Sequence, residues 1–210
     1  MDAFARDEDF LINIGPHKAD ILAGLVAERK PRVIVELGGY VGYSALLFGE
    51  VARKAAAAAG RAAPRVLSIE AEPLFAAIAM SLVDLAGLSD VVRVVTGKAS
   101  GEVRRLQAAK ELEAVDLLFL DHVEKLYLAD FEECRKLGLL QSGAMVVADN
   151  VLVPGAPEYR EYVRAQPDLE SHGVVGLIIP GDKKVSTPRS PTQDVQELTA
   201  QDEMEITLVK

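Results

Sequence analysis

Five short apolar runs alternate with stretches of helical periodicity over the first 150 residues, and this order constrains the fold more than any other feature. Such alternation is typical of βαβ units, in which the strands form a parallel sheet. The runs are rich in valine, leucine and isoleucine, as expected where helices cover both faces of a sheet. We therefore predict an α/β fold with a doubly wound, mostly parallel sheet and helices on both faces. The predicted strands are residues 32–37, 65–70, 91–96, 116–121 and 144–149, and the predicted helices are residues 18–29, 42–58, 73–86, 100–110 and 126–137.

The pattern changes after Pro154, where the strict alternation of strand and helix ends. A polar stretch that contains Pro188 and Pro191 is typical of an exposed loop. It separates two further apolar runs, so we expect a C-terminal antiparallel hairpin. The predicted elements are a short helix at residues 159–164, strands at residues 173–179 and 203–209, and the loop at residues 180–202.

The length and composition suit one domain over residues 1–210, because half of the residues are hydrophobic and can form a substantial core. Asp and Glu outnumber Lys and Arg by 32 to 23, and the resulting charge of -9 disfavours a nucleic-acid partner. The single cysteine, Cys134, cannot form an internal disulfide, which favours a reducing compartment. The acidic N-terminus lacks the features of a signal peptide, and no apolar run reaches the length of a membrane span. We expect a cytoplasmic protein that binds neither membranes nor nucleic acid.

A glycine-containing turn at residues 36–44 follows the first predicted strand and opens a helix, a position typical of nucleotide-binding sites. Its glycines allow a ligand to approach the backbone closely. The spacing differs from the G-x-G-x-x-G of dinucleotide enzymes, so a cofactor without a pyrophosphate, such as S-adenosylmethionine, is favoured. Glu70 ends the second strand, where a carboxylate can accept hydrogen bonds from both hydroxyls of a ribose. A capping or surface role is the alternative for Glu70.

Acidic and amide side chains also end the fourth and fifth predicted strands. Asp121 closes one apolar run, and Asp149 with Asn150 closes the next. The carboxyl ends of neighbouring parallel strands meet at the ligand crevice of a doubly wound sheet, so these side chains are expected to converge. Two carboxylates and an amide suit Mg²⁺ better than Zn²⁺, although each residue could instead cap a helix. His122 adjoins Asp121 and is expected either to contact the cofactor or to pack as a hydrogen-bonded histidine.

The blocks that carry these motifs resemble the catechol O-methyltransferase family, in the same order along the chain, from Asn13 to about Arg164. The resemblance implies a Rossmann-like methyltransferase fold. It also implies Mg²⁺-dependent transfer of a methyl group from S-adenosylmethionine to a hydroxyl of a small vicinal dihydroxy aromatic substrate. The matching blocks are residues 13–15 with Lys18, 36–44, 68–70, 83–84 with 86–87, 119–122, 138–140, and 148–151 followed by 154–157.

The resemblance implies roles for individual residues. The Mg²⁺ ligands would be Asp121, Asp149 and Asn150, and the metal would orient one substrate hydroxyl toward the methyl group and lower its pKa. A larger set would contact the cofactor, namely Ile14, Glu36, Gly38, Tyr40 and Ser44 at the methionine part, Glu70 at the ribose, and Ala99, Ser100 and His122 near the adenine.

The general base is the main departure from the family. The position of the family's lysine is occupied by Glu124, and Lys125 follows one residue later. Nearby positive charge favours the neutral form of a lysine, which can then accept a proton, whereas it would hold Glu124 ionised as a weaker base. Lys125 is therefore the favoured base, and Glu124 is the second candidate.

The substrate side departs from the family as well. The aromatic gates of the family correspond to Phe10 and Val123, and this chain has no tryptophan, so a flat ring would be held less tightly. The family has a substrate-binding glutamate before the last strand. Both Glu197 and Asp194 are candidates for that position.

Two other functions fit part of the sequence. A noncatalytic S-adenosylmethionine-binding or scaffold protein could retain the fold after losing the base lysine, but it would have no need of three candidate metal ligands. A nicotinamide dehydrogenase shares the α/β order and the acid after the second strand. The spacing of the glycines counts against it.

Overall fold

A computed structural model describes residues 1–9, 11–178 and 200–210, and within these ranges seven strands form one sheet. The order across the sheet is β3-β2-β1-β4-β5-β7-β6. The first five strands pair in parallel, and β7 pairs antiparallel with both β5 and β6. The expected mostly parallel sheet with an antiparallel C-terminal hairpin is thus confirmed. The strands are β1 (Val33–Leu37), β2 (Arg65–Glu70), β3 (Val92–Thr96), β4 (Leu117–Leu120), β5 (Met145–Ala148), β6 (Leu169–Ile178) and β7 (Ala200–Val209).

Helices cover both faces of this sheet. Side chains of α2, α3 and α4 pack in one apolar cluster with Ile34 of β1, and those of α5, α6 and α7 pack in another with Val35. Successive strand residues point to opposite faces, so these two neighbours belong to different layers. Within the described ranges no helix has the length and apolar character to cross a bilayer. The helices are α1 (Asp2–Asp7), α2 (Gly15–Arg29), α3 (Tyr43–Ala58), α4 (Pro73–Leu85), α5 (Ala99–Ala108), α6 (Tyr127–Lys136) and α7 (Pro157–Ala165).

Most element boundaries lie within a few residues of those predicted, and the differences have local causes. α2 begins at Gly15 rather than residue 18, because Pro16 fits the first turn of a helix, where no backbone N–H is needed. α7 begins at Pro157 for the same reason. The sequences of α1 and of the first half of β6, which starts at Leu169, are largely polar and carry no apolar periodicity.

The predicted loop at residues 180–202 extends too far toward the C-terminus. β7 begins at Ala200, which pairs with Ile178 of β6, so Asp202 lies in a strand and not in the loop. Strand pairing extends past the apolar run because β6 supplies backbone partners for this polar stretch. Residues 179–199, with Pro188, Pro191, Asp194 and Glu197, lie outside the described residues, as does Phe10.

The strand order reverses between β1 and β4, and the carboxyl ends of these strands define the position of the site. Leu37 of β1 is in register with Leu120 of β4, and Leu120 is in register with Ala148 of β5. The next residues, Asp121 and Asp149, donate backbone hydrogen bonds of 2.9 Å to Leu37 and Leu120 respectively. Both acidic residues therefore leave the sheet at the same edge, where doubly wound folds bind ligands.

Close packing of α3 against β3 depends on Gly49. A Cβ atom added at Gly49 would lie 2.5 Å from Cγ2 of the buried Val92. We expect Gly49→Ala to lower the free energy of unfolding by about 1–3 kcal/mol, because overpacking outweighs the better helix propensity of alanine. Urea unfolding measures the change.

Gly24→Ala in α2 is the matched control, because a Cβ at this exposed glycine meets no atom within 4 Å. It should raise stability by about 0.5–1 kcal/mol through helix propensity alone. Equal effects of the two substitutions would contradict the packing argument.

Candidate active site at the carboxyl edge of the sheet

The turn after β1 brings its backbone against the end of β4. Gly38 has a φ of +98°, which favours glycine, and a Cβ at this residue would overlap the backbone carbonyl of Asp121. A Cβ at Gly39 would overlap the hydroxyl of Ser68 in β2. α3 then begins at Tyr43. The turn therefore packs directly against Asp121 and Ser68, and no side chain would fit at either glycine.

Glu36 of β1 lies buried beneath this turn. One carboxylate oxygen accepts a hydrogen bond from the Ser68 hydroxyl, and the other, Oε1, is buried without a partner among the described residues. Burial raises the pKa of the Glu36 carboxyl from 4.5 to about 7, against the opposing effect of hydrogen bonds from Ser44 and Ser68. The charge of Glu70 raises it further. A buried carboxyl group that is held by hydroxyl groups rather than by a cation would have its ionised form stabilised by a cationic ligand group.

A narrow cleft opens in front of the turn. The segment before α2 forms its opposite wall, where Asn13 accepts a 3.0 Å hydrogen bond from the backbone N–H of Gly15. The amide nitrogen of Asn13 is buried and has no partner among the described residues. A ligand that bound here could satisfy this group, which costs free energy while unpaired. The lining residues are Ile12, Asn13, Ile14, Gly38, Gly39, Tyr40, Tyr43, Ser44 and Asp121.

Glu70 at the end of β2 fixes the neighbouring turns. Its Oε2 accepts a hydrogen bond of 2.7 Å from the backbone N–H of Tyr40, and its Oε1 accepts one of 2.7 Å from that of Glu72. Each carboxylate oxygen can accept a second bond, so a ribose can still be held here. The Tyr40 ring packs edge-on against Phe75 at 4.7 Å.

The residues expected near the adenine come from two elements. Ala99 and Ser100 begin α5, and the turn before them adjoins Glu70, whose carbonyl accepts a 2.8 Å hydrogen bond from Gly97. His122 lies after β4, where its Nε2 is 2.7 Å from Oδ2 of Asp130 in α6. Its Nδ1 is buried with no partner among the described residues. His122 is thus held by the protein through one nitrogen only.

The candidate metal ligands stand at the same edge. Asp149 is buried and its Oδ1 lies 2.5 Å from Nζ of Lys18, which in turn lies 2.7 Å from Oδ2 of Asp202. Asn150 donates to Asp202 at 3.0 Å. Neither Lys18 nor Asp202 is among the functional residues predicted from the sequence. One signal is that Lys18 lies four residues before Leu22, so the two side chains share a face of α2, and both are buried.

Negative charge exceeds positive charge in this group. Burial raises the pKa of Asp121 well above its usual value of 3.8, and the charges of Asp149 and Glu36 raise it further. Lys18 acts in the opposite direction. The described residues include no cluster of three or more Asp, Glu, His or Cys side chains arranged to bind a metal. Two carboxylates with an amide oxygen nevertheless suit a hard cation, which would offset the charge excess.

The two candidate bases follow Asp121 in a short 3₁₀-helical turn, Glu124–Leu126. Glu124 is half-buried, and its charge contributes to the raised pKa of Asp121. The side chain of Lys125 is exposed. Val123, at the position of the family's aromatic gate, is 57% exposed. Of the two candidates, Glu124 is thus the less exposed and the one that interacts electrostatically with Asp121.

Comparison with known proteins assigns the family. Residues 5–168 match the O-methyltransferase family. Catechol O-methyltransferase of Bos taurus is 35% identical over 170 residues, covering 81% of this chain and 60% of that protein. The Sus scrofa enzyme is 39% identical over 153 residues, covering 73% and 78% respectively. The chain belongs to the O-methyltransferase family, in the group that contains the catechol O-methyltransferases.

A solved structure supports the same fold. An O-methyltransferase from Bacillus cereus, in complex with SAH, superposes with a TM-score of 0.74 and 23% identity, covering 94% of this chain and 83% of that one. The likeness confirms the fold that the sequence predicted. The chain spans only about 60% of the length of the bovine and mouse relatives.

The raised pKa of Glu36 predicts a pH-dependent stability. Its folded pKa of about 7 exceeds the usual 4.5, so its contribution is full below pH 4.5 and is lost as the pH rises through 7. Glu36→Gln stays neutral, so its stability relative to the wild type should rise by up to about 3 kcal/mol between pH 4.5 and 8. Urea unfolding at several pH values measures this difference. Parallel pH curves for the two proteins would contradict it, and the exposed Glu113→Gln is the control.

Proposed function

We propose that this protein transfers a methyl group from S-adenosylmethionine to a hydroxyl of a catechol-like substrate held by Mg²⁺. One observation carries the proposal. Asp121 lines the cleft in front of the glycine turn and also belongs to the acidic group at the ends of β4 and β5. A methyl donor in the cleft and an acceptor at the acidic group would therefore be neighbours, as direct transfer requires.

The cleft suits a cofactor with cationic and polar groups. Among the described residues, Asn13 in the wall of the cleft has a buried amide nitrogen without a partner, and Glu36 beneath the glycine turn has a buried carboxyl oxygen without one. The sulfonium and ammonium groups of S-adenosylmethionine carry positive charge, which the carboxyl groups of Glu36 and Asp121 would favour. Gly38 and Gly39 let the turn pack against Asp121 and Ser68, and both glycines line the cleft. Glu70 would hold the ribose.

Asp121, Asp149 and Asn150 would hold the metal ion. Mg²⁺, when bound, supplies a hard Lewis acid that lowers the pKa of a bound hydroxyl and orients two adjacent oxygens. The protein's own contribution is the fixed position of these three side chains at the ends of β4 and β5. The excess negative charge around Asp121 supports cation binding.

The proton from the acceptor hydroxyl needs a protein group to receive it. Glu124 is half-buried and interacts electrostatically with Asp121, whereas Lys125 is exposed. Position thus favours Glu124, although intrinsic basicity favours Lys125. We propose Glu124 as the proton acceptor in this protein.

The proposed acceptor is a small aromatic diol. Val123, at the position of one of the family's aromatic gates, is an exposed aliphatic side chain, and the nearby Leu126 is 47% exposed. Aliphatic side chains contact a flat ring without stacking on it, so binding should be weaker and more tolerant of ring substituents. A cytoplasmic location without a nucleic-acid partner belongs to the same proposal, supported by the charge of -9 and the buried free thiol of Cys134.

A methyl-transfer screen tests the proposal directly. Catechols, catecholamines, flavonoids and hydroxycinnamates are incubated with labelled S-adenosylmethionine, with Mg²⁺ or with excess chelator. We expect transfer to vicinal diols only with the metal, because one hydroxyl must be ionised and oriented. Full turnover in chelator would exclude the metal mechanism. Cofactor binding without transfer to any diol would instead favour the noncatalytic S-adenosylmethionine-binding protein.

The base assignment predicts a difference between two neighbouring substitutions. Glu124→Gln should lower kcat by a factor of about 10² to 10⁴, because a positioned base is lost, while Lys125→Met should have a small effect. Rates are measured against pH with saturating cofactor and metal. If Lys125→Met loses the activity and Glu124→Gln retains it, Lys125 is the base. Equal, small effects would mean that no side chain here accepts the proton in the rate-limiting step.

A further inference from the structure

A buried carboxylate of the last strand, Asp202, accepts four hydrogen bonds beside the candidate metal site. Its Oδ1 accepts from the backbone N–H of Leu152 at 3.1 Å and of Val153 at 2.9 Å. Its Oδ2 accepts from Nζ of Lys18 at 2.7 Å and from Nδ2 of Asn150 at 3.0 Å. Four donors saturate its two oxygens, so Asp202 has no capacity left to bind a metal itself.

The bonds from Asn150 set the direction of its amide. Nδ2 donates to Oδ2 of Asp202 and, at 2.9 Å, to the carbonyl of Val153. These two bonds use both N–H groups of the side chain. The oxygen Oδ1 is therefore the atom left for a ligand, and an amide oxygen is a donor that Mg²⁺ accepts. Without Asp202 the amide would have no carboxylate to fix which end faces the site.

Lys18 connects Asp202 to the second candidate ligand. Its ammonium group lies 2.5 Å from Oδ1 of Asp149 and 2.7 Å from Oδ2 of Asp202. Oδ1 of Asp149 also accepts a 2.8 Å hydrogen bond from the backbone N–H of Asn150. Both bonds that the described residues give to this carboxylate thus go to one oxygen, which leaves Oδ2 for a cation. Lys18 and Asp202 together fix the rotation of Asp149.

A glycine in β6 leaves room for the side chain of Lys18. Lys18 crosses β6 at Gly176, the residue opposite Asp202 in the β6–β7 pair. A Cβ at Gly176 would lie 2.8 Å from Cγ and 2.9 Å from Cε of Lys18. Because Lys18 is only 2% exposed, it has little space to move aside. Glycine at this position therefore lets the ammonium group reach both carboxylates.

We propose that Asp202 and Lys18 are positioning residues for the metal site, which turn the free oxygens of Asn150 and Asp149 toward the cation. The inference rests on the proposed function, because it takes these two residues as Mg²⁺ ligands. It adds the C-terminal hairpin to the machinery of the site. Partners that hold ligand side chains in place contribute strongly to metal affinity in other proteins.

A purely structural role is the competing explanation. In that case the ion pairs of Lys18 with Asp149 and Asp202 only attach the hairpin to α2. That role would affect stability but not the affinity for a cation once the protein is folded. The electrostatic effect of removing one charge must also be separated from positioning. The test therefore measures binding of Mn²⁺ alone to the full chain by calorimetry, alongside urea unfolding, and it includes a variant that changes no charge.

Asp202→Asn keeps the shape of the side chain but turns one acceptor into a donor. We expect Mn²⁺ affinity to fall by about 10- to 100-fold. Glu203→Gln is the matched control, because it removes one negative charge from the next residue of β7, whose ion pair is with Arg160 of α7. It should bind Mn²⁺ as the wild type does. An equal loss in both variants would show that charge, not position, is responsible and would overturn the proposal.

Gly176→Ala is the variant that changes no charge, and it tests the positioning role even if Asp202→Asn fails to fold. It should weaken Mn²⁺ binding by displacing Lys18, whereas Gly24→Ala, whose Cβ meets nothing within 4 Å, should not. Wild-type affinity in folded Gly176→Ala and Asp202→Asn would overturn the positioning role and leave the proposed function intact. Failure of the wild type itself to bind Mn²⁺ would overturn the metal-dependent function, and this inference with it.

Discussion

The contact between the β1 turn and the end of β4 is the constraint on which the site depends. Gly38 is close enough to the backbone of Asp121 that no side chain fits between them. Parallel pairing of Leu37 with Leu120 sets this approach, and pairing of Leu120 with Ala148 brings Asp149 to the same edge. The cleft and the acidic group are therefore adjacent because of the strand register, which is a property of the backbone and does not depend on side-chain rotamers.

The electrostatic cost of this arrangement explains why Lys18 is buried. Glu36, Asp149 and Asp202 are all buried, so each carboxylate loses hydration that other groups must replace. Lys18 pairs with two of them, whereas Glu36 responds by a raised pKa. Carboxyl groups that lack a cationic partner among the described residues, Glu36 included, thus lie where a cofactor cation and a metal ion would bind. Ligand binding and folding stability are linked through this same charge.

The fold could be predicted from the sequence because its signals are local. Part of the site could not be predicted, because its contacts join distant parts of the chain. Short apolar runs determine the strands, and the order of strand ends predicts that Asp121 and Asp149 meet. The partners Lys18 and Asp202 are 184 residues apart, and Asp202 lies in a polar stretch that pairing alone makes into a strand. No local pattern indicates such a contact. The half-buried position of Glu124 likewise depends on how the 3₁₀ turn packs.

The hairpin and the parallel strands contribute residues with different roles at this site. β1, β4 and β5 carry the residues that would contact cofactor and metal, and their positions follow from strand register. β6 and β7 carry Gly176 and Asp202, which would contact neither ligand but determine which oxygens of Asp149 and Asn150 are free. Changes in the hairpin could therefore alter metal affinity without touching a ligand.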